Sequence, residues 1–375
     1  MNYLKDIIYN QSISVPGKNL KNIAETNELI DKIYKANNIK NLYEYLNKVK
    51  KNIDIIFSDI AKISEDKKFV IFLNELNILI VNYLDEYVSL KKFNYQGEDN
   101  SLENKLYYFG DIDHQLLNNI INISQKHLEN FKKKAKLGLT SREDLTLNRG
   151  RDIRKIIKIL NKFFEKNGDL KKISSYMKQE YNVGMCALEL SVPNSTWWKN
   201  DSNFVSDKTW YAHLDQEKLY PKSIMYLSDV NENNGPTSFY PKVYSNYMNI
   251  TPLQDLIGRV VSNIGNNKKS FFYNIFKYQK FKVECEIFKF FFCMLPDEIR
   301  FENHFGWFIK KNTRLEDLLV KNEIKMLGPS GSYVVFDGSK LLHRGGLIKE
   351  NFRSALQIVF TPKESFVVKI LKKYF

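Results

Sequence analysis

Cysteine is scarce in this chain. The three present among 375 residues, Cys186, Cys285 and Cys293, stand too far apart for a disulfide framework or a paired-cysteine zinc site. That usage fits a reducing compartment, so the cytoplasm is the expected location. Long apolar runs are also missing. The nearest, FVIFLNELNILIVNYL over Phe69–Leu84, is broken by Asn74, Glu75, Asn77 and Asn82. It predicts a buried amphipathic helix and no membrane span. The opening MNYLKDIIYNQ has neither the basic head nor the apolar stretch of a secretory leader. Pro16 is the only proline in the first 190 residues. There is no HExxH helix motif of the zinc proteases and no internal repeat.

What is present is apolar bulk and positive charge. Hydrophobic residues make up 43% and aromatics 14% of the chain, enough for a sizeable core. The net charge is +14, and the window Lys126–Lys178 alone holds 16 Lys and Arg against 6 Asp and Glu. Two readings fit that window: a surface for anions or nucleic acid, and the solvated face of amphipathic helices. The spacing of apolar residues in IRKIIKILNKFF favours the second.

Two textures follow one another. Residues 1–182 carry helical periodicity, as in NLKNIAETNELIDKIYK. Asp111 or Asp113 is expected to cap a helix starting at His114, and Ser141 with Asp144 has the spacing of a capping box. Residues 89–105 read as a polar loop. From Gly184 the chain turns to short β-branched and aromatic runs bounded by Gly, Pro, Asn and Asp: GMCALELSV, SIMYLSDV, TSFYP, GSYVVFDG and RSALQIVFTP. The expected class is α+β, with a helical N-terminal region over 1–182 and a β-rich catalytic domain over 183–375.

The chemistry concentrates in that second part. In YAHLDQEKLYP, His213 and Asp215 would point the same way along an extended segment. His343 follows a strand in FDGSKLLHRGG. Two histidines and one carboxylate on one face of an octahedron are the ligand set of non-haem Fe(II) oxygenases, and they leave positions open for a cosubstrate and O2. Arg353 opens the apolar strand SALQIVF. Its guanidinium suits the far carboxylate of a dicarboxylic cosubstrate. Trp210 and Tyr211 immediately precede the His-x-Asp triplet, where they could wall a cosubstrate pocket or simply pack.

The order HLD, YLSDVNENNGPTSFYP, GSYVVFDGSKLLHRGG and NFRSALQIVF resembles the phytanoyl-CoA dioxygenase family over roughly residues 180–365. The resemblance implies a double-stranded β-helix core of the jelly-roll type with flanking helices. It implies iron on His213, Asp215 and His343, and the C5 carboxylate of 2-oxoglutarate on Arg353. Fe(II), 2-oxoglutarate and O2 are then the expected cofactor and cosubstrates, with succinate and CO2 released. The chain departs from the pattern at Gly345, where family members often carry a hydroxyl. It also departs in the long interval between His213 and His343, whose excess falls at about 251–327. The carboxylate at Asp215 favours hydroxylation over halogenation, because halogenases of this kind replace it with a small residue.

The expected activity is hydroxylation of a small-molecule, carrier-linked or nucleotide-linked metabolite, and the basic balance favours an anionic one. Two other readings stay open: an oxygenase that docks protein or RNA on its basic helices, and a non-catalytic binding protein on the same scaffold. His114, His127 and His304 are expected to be ordinary surface, interface or core residues. Trp197 and Trp198 could line the site mouth or pack. Cys285 and Cys293 read as buried small hydrophobes, and the terminal VVKILKKYF as a closing element with a solvated Lys face.

Overall fold

The computed structural model of the chain describes residues 20–36, 38–63, 67–91, 101–193, 206–215, 218–241, 252–264, 311–312 and 314–363. Trp197, Trp198, Cys285, Cys293, His304 and the terminal VVKILKKYF lie outside the described residues. Contacts divide the chain into two compact units, one mainly of helices and one built on β-sheet.

The helical unit contains α1 (Leu20–Lys35), α2 (Ile39–Ile63) and α3 (Lys67–Leu90). Their apolar residues recur at helical spacing, which lines up one buried stripe per helix. Leu29, Ile30 and Ile33 of α1, Leu46, Val49 and Ile53 of α2, and Leu76, Ile80 and Leu84 of α3 are all buried. Each such side chain contributes roughly 1.5–3 kcal/mol, so the stripe and not intrinsic helix propensity holds these helices.

The chain continues through α4 (Ser101–Lys105), β1 (Tyr107–Asp111), α5 (His114–Lys136), β2 (Thr146–Leu147) and α6 (Arg151–Lys166). Then come α7 (Asp169–Met177), β3 (Tyr181–Ser191), β4 (Lys222–Tyr226), β5 (Ser238–Phe239) and α8 (Pro252–Ile264). The chain continues through α9 (Arg314–Lys321), β6 (Ile324–Lys325), β7 (Ser332–Phe336), β8 (His343–Arg344) and β9 (Arg353–Pro362). Helix α8 packs on α1 and α3 in the helical unit. Its second residue, Leu253, donates its N–H to Asn27 Oδ1 of α1 at 2.8 Å, which satisfies one of the donors a helix start leaves open.

The strands form two antiparallel sheets. The larger has the order β1-β7-β4-β9-β3-β2, the smaller β6-β5-β8. The middle of the large sheet is buried on both faces, and the alternation of its side chains shows how. On β7, Tyr333 and Val335 join the core under α5, α6 and α7, while Val334 and Phe336 join a second core with Phe239, Met326 and Leu341. On β4, Met225 and Tyr226 divide in the same way. A strand buried on both faces reads as a continuous apolar run, which is why SYVVF shows no polar alternation.

The change of texture at residue 182 does not coincide with the division into units. Residues 94–182 group with the sheet. β1 pairs with β7 in the register Tyr107↔Phe336, and α6 lays Ile153, Ile156, Leu160, Phe163 and Phe164 into the core beside β3. Helical periodicity identifies an apolar stripe but says nothing about which surface covers it. The interval 251–327 is likewise not wholly an insertion, because Ile324–Lys325 supply an edge of the small sheet, pairing with β5.

Local signals also divide. Asp113 caps α5 as expected, accepting from the N–H groups of Gln115 and Leu116. The Asp144 N–H donates to Ser141 Oγ at 3.2 Å, one bond of a capping box, and Ser141 Oγ donates to Asp144 Oδ2 at 2.6 Å, yet they close a turn while the helix starts at Arg151. No helix among the described residues is long and apolar enough to cross a membrane.

Candidate metal centre

His213 follows a tight turn in which the Ala212 N–H donates to the Thr209 carbonyl at 3.0 Å. Ala212 and Leu214 are fully buried, while His213 is half-buried and Asp215 buried to 8% exposure. The two apolar side chains are buried, and the two candidate ligands lie close together. His213 Nε2 and Asp215 Oδ1 are 3.9 Å apart.

His343 reaches its place through the turn that ends β7. Asp337 is 2% exposed. Its Oδ1 accepts from the Ser339 N–H and Oγ, and its Oδ2 accepts from the Tyr176 hydroxyl at 2.6 Å. Its carbonyl takes the Lys340 and Leu341 N–H groups. The sequence FDGSKLL therefore folds as a side-chain-locked turn that delivers β8. His343 is buried, and its ring meets Phe336 edge-on at 4.8 Å between centroids. Its Nδ1 lies 2.9 Å from the Leu341 carbonyl oxygen. A carbonyl can only accept, so Nδ1 carries the proton and Nε2 keeps the lone pair that a metal needs.

One ligand atom from each of His213, Asp215 and His343 lies within 4.8 Å of the others. The donor set is two imidazoles and one carboxylate, which suits a borderline divalent ion such as Fe(II) better than a hard ion like Ca2+ or Mg2+.

Arg353 begins β9, opposite Ser191 of β3 in the sheet register. It is 6% exposed. Its Nη1 donates to the Gly235 carbonyl and its Nη2 to Ser191 Oγ at 3.4 Å. Its Nε has no hydrogen-bond partner, and among the described residues Arg353 has no carboxylate partner. Arg344, one residue past His343, is different: it pairs with Glu323 at 3.0 Å. A buried guanidinium without an anion is costly, and an arriving carboxylate removes that cost. Tyr226 sits beside Arg353. Burial raises its phenol above the ordinary range, and the guanidinium offsets part of that rise.

The Asn-Gly-Pro turn builds the floor under Arg353. Asn234 Nδ2 donates to the Asp229 carbonyl, and Asn234 Oδ1 accepts from the Asn231 N–H. Gly235 has a φ of +77°, the left-handed region that favours glycine. Gly346 of the HRGG stretch packs on this turn, and a Cβ there would fall 2.2 Å from the Pro236 carbonyl oxygen and 2.7 Å from the Gly235 carbonyl carbon. Neither atom belongs to a flexible side chain, so the turn itself must shift. Gly346→Ala is expected to destabilise by roughly 2–3 kcal/mol and to lower Tm by roughly 5–10 °C, measured by thermal unfolding.

The structure brings His213, Asp215 and His343 together. Trp210 is buried, and Tyr211 has a φ of +68° and acts electrostatically on Arg142. Nothing in these positions assigns either ring to a cosubstrate. His127 Nε2 lies 3.0 Å from Asp152 Oδ2 between α5 and α6, a hydrogen-bond contact away from the candidate centre. Burial pushes the Cys186 thiol up to about 12, which fits its place as a packed small residue. Ser191 and Tyr226, which flank Arg353, were not legible beforehand. Ser191 meets Arg353 only through strand register, 162 positions apart.

No family model matches the chain, and no curated protein matches it. Solved structures do. EctD from S. alaskensis with bound Fe aligns at a TM-score of 0.37 and 9% identity, over 70% of this chain and 74% of that one. The epimerase SnoN, solved with Fe3+, alpha ketoglutarate and nogalamycin RO, aligns at 0.33 and 9% identity, over 70% and 80%. The alpha ketoglutarate-dependent carbocyclase SnoK aligns at 0.35 and 10% identity, over 72% and 85%. What this chain can do therefore has to follow from its own side chains.

Proposed function

We propose that the chain is an Fe(II)- and 2-oxoglutarate-dependent oxygenase of the phytanoyl-CoA dioxygenase type, on a double-stranded β-helix core, and that it hydroxylates an unactivated C–H bond. The observation that carries this reading is the convergence of His213, Asp215 and His343 to within 4.8 Å in a two-histidine, one-carboxylate set. The buried Arg353, which lacks a carboxylate among the described residues, supports the dicarboxylic cosubstrate.

Each residue has a separate task. His213, Asp215 and His343 would hold iron from one side and leave the opposite positions open. The Leu341 carbonyl fixes the imidazole of His343 in the tautomer that binds through Nε2. The fork of Arg353 would anchor the far carboxylate of 2-oxoglutarate, with Ser191 Oγ beside it. When bound, iron with 2-oxoglutarate and O2 supplies the oxidising power for C–H attack, and the cosubstrate leaves as succinate and CO2. Asp215 occupies the position that halogenases vacate, which supports hydroxylation.

The substrate proposed is a small or carrier-linked metabolite, preferably anionic. A second reading, a macromolecular substrate, has one observation in its favour. Arg151, Arg154, Lys155, Lys158 and Lys162 are all exposed on α6, away from its buried stripe. RNA affinity falling steeply with salt would support it.

The test is anaerobic titration of metal-free protein with Fe(II) and then 2-oxoglutarate. A weak visible charge-transfer band is expected, followed by slow succinate formation on admitting air without substrate. Folded protein giving neither would remove the oxygenase reading.

A further inference from the structure

Helix α8 belongs to the interval that the sequence marks as surplus, and it carries a buried charge with an unusual target. Arg259 is 1% exposed and Asp255, one turn earlier, 7%. Arg259 Nε lies 3.0 Å from both Asp255 oxygens, and Nη2 lies 2.8 Å from Oδ1. The remaining nitrogen, Nη1, donates to the main-chain carbonyl of Asp215. A buried guanidinium bound by a carboxylate thus also donates to the backbone of a candidate metal ligand.

We propose that Arg259 is a positioning residue for the metal centre, and that the helical unit serves to brace the His213–Asp215 segment. The inference rests on the metal reading given above. A carbonyl held by a charged donor fixes the peptide plane that follows Asp215, and with it the direction of the Asp215 side chain. The donor is itself fixed. Asp255 locks the guanidinium, and burial of Leu253, Leu256, Ile257 and Val260 seats α8. Asn27 of α1 ties its first turn. Tyr34 of α1 is buried within electrostatic reach of the same ion pair, its phenol raised first by burial and then by Tyr83 and Asp255. The chain of support runs from α1 through α8 to the carbonyl of Asp215. It gives the N-terminal helices a task that their sequence did not reveal, and it makes a residue 44 positions downstream part of the support of the His-x-Asp triplet.

The test uses Arg259→Gln, Arg259→Lys and the double variant Asp255→Leu/Arg259→Leu. Removing Arg259 alone strands a buried carboxylate and can prevent folding. The double variant removes both charges and avoids that, since apolar replacement of a buried pair is often tolerated. Two readouts are taken in the full chain: Fe(II) affinity, and hydrogen exchange of the 212–215 amides without metal. Fe(II) affinity is expected to fall about tenfold or more, the scale for losing a residue that orients a ligand. Exchange at 212–215 should rise while that of β3 and β9 stays unchanged. Lysine, with its charge but no fork, should recover part of both. A folded Arg259→Gln or double variant with wild-type affinity and wild-type exchange overturns the proposal. If wild-type protein binds no Fe(II), the metal reading fails, yet the exchange data still decide whether Arg259 holds the segment.

Discussion

His343→Ala protein is expected to bind Fe(II) at least about 100-fold more weakly than wild type and to show no charge-transfer band with 2-oxoglutarate. Losing a residue that merely orients a ligand costs about 10- to 100-fold in metal affinity, so losing the ligand itself must cost more. His213→Ala and Asp215→Ala should fall in the same range, because each removes one of three candidate donors. Fold damage differs between them. His343 is 6% exposed and packs on Phe336, so its truncation leaves a small cavity. His213 is half-buried, and its loss costs less packing. If metal binding were a by-product of folding, the His343 variant alone would fail. If the three are ligands, all fail alike and the His213 variant keeps its Tm. Undiminished affinity in any folded single variant would remove that residue from the set. The measurement is anaerobic calorimetric titration beside a thermal unfolding curve.

The candidate ligand set was legible because its spacing carries local meaning. Asp215 lies two positions from His213, and a two-residue step puts both on one side of any extended segment. His343 and Arg353 lie just past and just inside apolar runs that could only be strands. The long strands were legible for the same reason, since SYVVF and RSALQIVF have no other use for so many β-branched and aromatic residues. What failed to show was everything set by register or by burial of a second face. YYFGD (Tyr107–Asp111) is a strand inside the region read as helical, and it reads as one only once it lies against β7. Asn161 looks like a polar interruption of α6. In the structure its amide donates to the Val183 carbonyl and its Oδ1 accepts from the Val183 N–H, beside the β3 irregularity between Val183 and Met185. Arg259 in PLQDLIGRVVSNI was invisible for the opposite reason. An i, i+4 Asp–Arg pair normally reads as a solvated surface pair, and only burial turns it into a clamp.

Arg353→Leu separates the cosubstrate from the metal. Iron affinity should stay within about twofold of wild type, because Arg353 is not a ligand. Affinity for 2-oxoglutarate should fall by roughly 30-fold to several thousand-fold, the range for removing one partner of a buried, hydrogen-bonded charge pair at about 1.4 kcal/mol per tenfold. Loss of the bond to the Gly235 carbonyl opens a second route to the same fall, through a displaced Asn-Gly-Pro turn. Two comparisons tell these routes apart. Arg353→Lys keeps a donor near Gly235 and Ser191 but loses the bidentate fork, so it should lie between the wild type and leucine proteins. The second uses a 2-oxo acid of similar length with a methyl group in place of the far carboxylate. Wild-type protein should reject it, since it leaves the guanidinium buried without an anion. The leucine variant should bind it at least as well as 2-oxoglutarate, because its pocket no longer holds an unmet charge. A displaced turn would weaken both acids equally. Only loss of a specific carboxylate partner reverses their order, and that reversal would establish Arg353 as the anchor of the dicarboxylate.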